Sequence, residues 1–156
     1  MAYRSQSAFT LDEQLCFALH SASRAMTGAY RDGLDRLGLT YTQYVVLLVL
    51  WEHHSLPMNQ LGERLHLDSA TLSPLLKRLA RQQLVTRRRS PHDERIVEIT
   101  CTAAGHELRD RARAVQVEVE RHTGLSGREL AAMRADLHRL AARLRSRPLV
   151  GHAQEA

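Results

Sequence analysis

A chain of 156 residues, 44% hydrophobic and 25% charged, has the length of one globular domain and enough apolar residues to bury a core. No apolar run is long enough to span a bilayer, no secretory h-region opens the chain, and two cysteines do not make a disulfide framework, so a cytoplasmic protein with no membrane partner is expected. The formal charge of +5 points to an acidic partner such as nucleic acid.

Residues 1–9 read as a loose arm. Thr10 with Glu13 has the letters of a capping box, and Leu11, Leu15, Leu19, Ala22, Met26 and Ala29 recur at helical spacing up to a stop at Gly38. A helix of some 27 residues would be roughly 40 Å long. A small core cannot cover that length, which suggests packing on a second subunit. Thr40 and Gln43 repeat the capping pattern and open a second helix. Its run Tyr44 to Trp51 is apolar nearly all round and belongs at the centre of the domain.

The stretch from Met58 to Thr102 reads as helix, turn, helix, strand, basic loop, strand. The first of these helices follows Pro57 and turns Leu61 and Leu65 inward. The next is capped by Asp68 and gathers Leu72, Leu75, Leu76 and Leu79 on one side. The opposite side carries Ala70, Ser73, Pro74, Lys77, Arg78 and Arg81, the small, hydroxylic and basic surface that a helix in a major groove needs. Pro74 implies either a later helix start or a bend. Strands over Leu84–Arg87 and Ile96–Thr100 flank a loop from Arg88 to Arg95. Between Lys77 and Arg95 stand seven basic and two acidic residues, so this stretch carries the whole net charge of the chain. Ser69, Thr71, Ser73, Pro74, Lys77, Arg78, Arg87, Arg89 and Arg95 are the expected contacts to double-stranded DNA.

Thr102 caps a fifth helix carrying Leu108, Ala112, Val115 and Val119. Ser126 with Glu129 opens a sixth, with Leu130, Met133, Leu137, Leu140, Ala141 and Leu144 in line. Pro148 ends it, and 149–156 read as a disordered tail. The expected fold is mainly α with a small β-wing: a winged helix-turn-helix lobe over 40–102, and dimerisation helices over 10–38 and 103–146, in a single domain. Pairing through those helices gives a homodimer whose two-fold axis matches a palindromic operator.

The residues Gln60 to Leu65, Ser69 to Leu79, and Asp93-Glu94-Arg95 followed by the closing Thr102-Ala-Ala-Gly105 resemble a MarR-family winged-helix repressor over about residues 10–146. The resemblance implies that Asp93 orients the wing and that Arg95 enters a minor groove. Gln83 departs from the pattern, which has glycine there. The segment from Leu11 to Leu19 is similar to the reactive-cysteine segment of the OhrR branch, whose members sense organic hydroperoxides. That likeness implies that Cys16 is the redox-sensing thiol, with Tyr30 and Tyr41 as its hydrogen-bond donors. His20 stands where an aromatic is often found. On one helix Cys16 and Tyr30 would be about 21 Å apart, so their contact requires an antiparallel partner helix.

The second thiol, Cys101, is expected to be a buried apolar residue. The resolving cysteine of two-cysteine relatives would fall near Arg121, where this chain has none. The resemblance therefore implies a one-cysteine sensor whose sulfenic acid is resolved by a small thiol. Two rival functions stay open: a repressor released by a phenolic or other small ligand, and a small thiol-dependent redox enzyme. No catalytic motif supports an enzyme. The nine histidines show neither HExxH nor CxxC spacing, so neither metal nor cofactor is expected.

Overall fold

A computed structural model describes residues 9–146, and the expectations about the arm over 1–8, Pro148 and the tail over 149–156 lie outside them. The order is α1 (Leu15–Asp35), α2 (Tyr41–His53), β1 (Ser55–Pro57), α3 (Met58–Leu65), α4 (Ser69–Arg81), β2 (Val85–Arg89), β3 (Val97–Cys101), α5 (Ala103–Glu107), α6 (Arg109–His122) and α7 (Gly127–Ser146).

The first helix starts later than its sequence pattern suggests. Thr10 caps nothing; Leu11–Glu13 tighten into a 3-10 turn, Gln14 is the N-cap of α1, and its Nε2 donates to the Thr10 carbonyl at 3.2 Å. With 21 residues, α1 is about 30 Å long rather than 40. Its end is as expected. Gly38 takes φ +69°, and the Leu39 N–H reaches back to the Leu34 carbonyl at 3.0 Å, a reversal that suits glycine. At α2 the capping box forms: Thr40 Oγ1 accepts from the Gln43 N–H, and Gln43 Oε1 from the Thr40 N–H at 2.8 Å. Tyr44, Val46, Leu47, Leu50 and Trp51 are buried, so α2 is the central element.

A third strand, β1, was not legible. It pairs antiparallel with β3 (Leu56 opposite Ile99), giving the order β1-β3-β2. Both wing strands start one residue later than expected, β2 ending two residues later and β3 one, and they pair from Val85↔Cys101 to Arg89↔Val97. The helix-turn-helix is tight. A Cβ on Gly62 would stand 2.8 Å from the Leu67 carbonyl oxygen, so α3 carries glycine where the turn passes over it. The helix expected after Thr102 is divided into α5 and α6 at Leu108. Thr102 does cap it, accepting from the Gly105 N–H at 3.0 Å.

Two compact units divide between Val119 and Glu120. In the first, Ala112, Val115 and Val119 of α6 belong to the same core as Leu34, Leu47, Leu50, Leu72, Leu76 and Ile99. Val115 lies so close over Gly33 that a Cβ there would sit 2.5 Å from its methyl carbon. The core of this unit therefore continues past Thr102 into α6. In the second unit Ser126 and Glu129 form the expected capping box, and α7 leaves Met133, Leu137 and Leu144 exposed.

Candidate nucleic-acid interface and thiol site

Asp68 sets the start of α4: its Oδ1 accepts the Thr71 N–H at 2.7 Å, and that bond holds the carboxyl below the usual carboxylate range. The helix begins at Ser69, which excludes the later start. Pro74 is thus inside it, and the Ala70 carbonyl loses its donor at an exposed position where water is at hand. Leu72, Leu76 and Leu79 anchor one side in the core. Ser69, Thr71, Pro74, Lys77 and Arg78 are exposed on the other, with Ser73 half-buried.

The wing is built on local bonds. The Asp93 carboxylate accepts the backbone N–H of Arg95 at 2.9 Å, and the Asp93 carbonyl accepts from Ile96 at 2.9 Å. Asp93 therefore positions Arg95 through the main chain, leaving the guanidinium free to face outward. Arg89 Nη1 donates to the Glu94 carbonyl at 2.8 Å, closing the loop from within, so part of its donor capacity serves the wing itself. Ser90, which the sequence did not single out, is buried at the loop's base; its N–H donates to Ile96 O at 2.8 Å and its Oγ accepts from His92. Arg87 is half-buried, and its Nε has no hydrogen-bond acceptor. A groove of about 790 Å³ between α3, the start of α4 and the wing brings Ser69 and Arg95 together with Asn59 and Glu63. The ion pairs Glu52–His53 and Asp136–Arg139 lie outside α4 and the wing. Among the described residues, the basic side chains of α4 and the wing thus stand without carboxylate partners, as a phosphate-binding surface requires.

Cys16 is exposed in the first turn of α1, flanked by the exposed Leu15 and Phe17. The structure does not bring it to the tyrosines. Tyr30, fourteen positions further along the same helix, lies about 21 Å away by helical rise. It packs edge-on against Tyr41 with ring centroids 5.5 Å apart. Two aromatics that sequence reasoning passed over complete this cluster. Tyr44 lies 5.5 Å from Tyr30 and 6.2 Å from Tyr41, and Trp51 lies 6.3 Å from Tyr44. Their spacing along α2 could have shown it, since positions 41, 44 and 51 share a face. Cys101 is buried in the core, where desolvation pushes its thiol up to about 11, and its Sγ faces the Thr102 carbonyl at 3.6 Å. That is an inert thiol, as expected. His54 and His106, which the sequence reading left without a role, meet through Nδ1 and Nε2 at 3.0 Å.

A recognition helix with one buried and one basic face, followed by a hairpin that presents arginine, defines a winged-helix DNA-binding regulator. The model of the "Transcriptional regulator SarA/Rot" family matches residues 29–112. The "Organic hydroperoxide resistance transcriptional regulator" of Bacillus subtilis (strain 168) is 44% identical over 130 residues, 83% of this chain and 88% of that protein. The regulator TtmR of Methylorubrum extorquens (strain PA1) is 45% identical over 136 residues, 83% of this chain and 70% of its own length. The solved structure of reduced AbfR bound to DNA superposes with a TM-score of 0.71 at 35% identity, over 86% of this chain and 94% of that one. The chain belongs to the SarA/Rot-type, MarR-like family of winged-helix transcriptional regulators, which are not enzymes. No helix among the described residues is long and apolar enough to cross a membrane.

Proposed function

We propose that this regulator acts in the cytoplasm as a homodimeric repressor, binds a palindromic operator, and is released when an organic hydroperoxide oxidises Cys16. The observation that supports the reading is the placement of Cys16 and of the Tyr30–Tyr41 pair at opposite ends of α1. Cys16 is exposed at one end of α1, and the Tyr30–Tyr41 pair is assembled at the other. An antiparallel α1 of a second chain would bring the pair to the thiol and cover Leu15 and Phe17, which are 61% and 39% exposed in one chain. The name of the Bacillus relative supports the inducer class.

The chemistry follows from the groups. The Cys16 thiolate attacks the peroxide oxygen that carries hydrogen. The O–O bond breaks, the alcohol leaves with the thiol's proton, and the sulfur becomes a sulfenic acid. A small thiol then condenses with it, forming a mixed disulfide and releasing water. The phenols of Tyr30 and Tyr41 donate to the sulfur, and the apolar rim of Leu15, Phe17 and Leu19 favours an alkyl peroxide over hydrogen peroxide. The added bulk and lost charge at a packed interface shift the spacing of the two DNA lobes. On the operator, Ser69, Thr71, Ser73, Pro74, Lys77 and Arg78 face the major groove. Arg87, Arg89 and Arg95 follow the flanking backbone and minor groove, with Asp93 fixing the wing.

Operator binding measured with and without cumene hydroperoxide tests this. Wild type should be released, and Cys16→Ser should bind and stay bound. Release of both at the same dose would contradict the assignment. A second reading rests on a cavity of about 500 Å³ lined by Tyr44, Leu48, Trp51, Glu52, Arg109 and Arg113. It has an aromatic floor, and Asp110 and Gln116 complete a rim of mixed charge in which the arginines could meet a phenolic ligand. Under that reading, salicylate would release Cys16→Ser.

A further inference from the structure

The tyrosines of the proposed sensor are continuous with the root of the wing. Tyr44 touches both Tyr30 and Tyr41, and its other side meets Trp51 at a centroid distance of 6.3 Å. Tyr44 and Trp51 are buried. The indole Nε1–H of Trp51 donates to the Gly105 carbonyl at 2.9 Å, a bond closed off from solvent. Gly105 is itself wedged: a Cβ would stand 2.3 Å from the Leu84 carbonyl oxygen and 2.7 Å from Cys101 Sγ. The Leu84 carbonyl also accepts the Thr102 N–H at 3.1 Å, and Thr102 donates its hydroxyl hydrogen to Gln83 O at 2.7 Å. Leu84 leads into β2 and Cys101 ends β3, so both wing strands are rooted in this joint.

We propose that Tyr44 and Trp51 form a strut that ties the Tyr30–Tyr41 pair to the wing root at Gly105, making Trp51 the positioning residue through which oxidation at the sensor reaches the DNA-binding hairpin. The inference rests on the sensor reading above. Close-packed aromatic rings cannot shift one at a time, because each fills the space the next would need. A displacement of Tyr30 or Tyr41 toward an altered sulfur must therefore move Tyr44, and with it Trp51. At the far end the shift meets a directed hydrogen bond to a glycine with no slack around it. The wing root then follows instead of absorbing the movement.

Trp51 is the sole tryptophan of the chain, so the intact dimer carries its own probe. One equivalent of cumene hydroperoxide should change the Trp51 emission in step with sulfenic acid formation, read by mass on Cys16, and Cys16→Ser should show no change. Trp51→Phe keeps an aromatic ring but has no N–H to donate. It should oxidise at Cys16 at the wild-type rate and bind the operator in reduced form within threefold of wild type. Its loss of operator affinity on oxidation should be at least tenfold smaller than that of wild type. Oxidation and release by Trp51→Phe equal to wild type would overturn the strut. So would wild-type oxidation and release with unchanged emission, a measurement that stands even where the variant fails to fold. Release without any change in the mass of Cys16 would instead overturn the sensor reading, and the strut with it.

Discussion

Gln83 holds φ at +60°, where the chain leaves α4 and the Leu84 N–H turns back to the Leu79 carbonyl at 3.0 Å. The side chain is exposed and its Cβ crowds the backbone. Gln83→Gly should raise stability by about 0.5–1 kcal/mol in urea unfolding, the relief of strain outweighing the entropy that glycine adds to the unfolded chain. The two thiols should part company under iodoacetamide at pH 8: Cys16 is labelled in the native protein, and Cys101 only after denaturation. A native chain carrying two labels would contradict the burial of Cys101. The thiol of Cys101 is raised from 9.0 to about 11 by burial. Its contribution to stability is complete below pH 9, where the unfolded thiol is still protonated, and is lost as pH rises through about 11. Cys101→Ala should flatten that alkaline decline.

At the scale of elements, the wing uses Arg89 to close its own loop and leaves Arg95 exposed. Arg95→Ala should weaken operator binding by more than ~1 kcal/mol at physiological salt and relax specificity at one position, whereas Lys77→Ala should lower affinity evenly across sequences and reduce the salt slope. Asp93→Ala should act in the same direction as Arg95→Ala but less, since it frees the loop and leaves the charge. Helix starts show what was legible and why. Thr40, Asp68 and Ser126 each have an apolar residue just before the cap and another four residues after it: Leu39 with Tyr44, Leu67 with Leu72, Leu125 with Leu130. All six are at least half-buried. At Thr10 the same capping letters stand between an exposed Phe9 and the polar Gln14, so no hydrophobic staple holds the turn and it tightens to 3-10. β1 gave no signal, because a three-residue strand exists only where β3 offers it an edge. The Tyr30–Tyr41 pair was half legible: the resemblance named it, but packing against Tyr44 and Trp51 needs the angle between α1 and α2, which spacing along one helix does not contain.

At the scale of the whole molecule, a single chain leaves its apolar surface in the wrong places for a monomer. Leu11, Leu15, Phe17 and Met26 are exposed at or along the first helix, and Met133, Leu137 and Leu144 along the last. Such stripes call for a second copy. In the proposed sensor the same requirement joins fold to function, because Cys16 at one end of α1 and Tyr30 toward the other can meet only between chains. Subunit mixing tests this directly. In a heterodimer of one Cys16→Ser chain and one Tyr30→Phe chain, the only Cys16 faces the normal Tyr30 of the partner subunit. That thiol should form sulfenic acid at the wild-type rate, while the Tyr30→Phe homodimer reacts more slowly. A heterodimer thiol that reacts at the slow rate of the Tyr30→Phe homodimer would place the tyrosine beside the cysteine of its own chain and contradict the shared site.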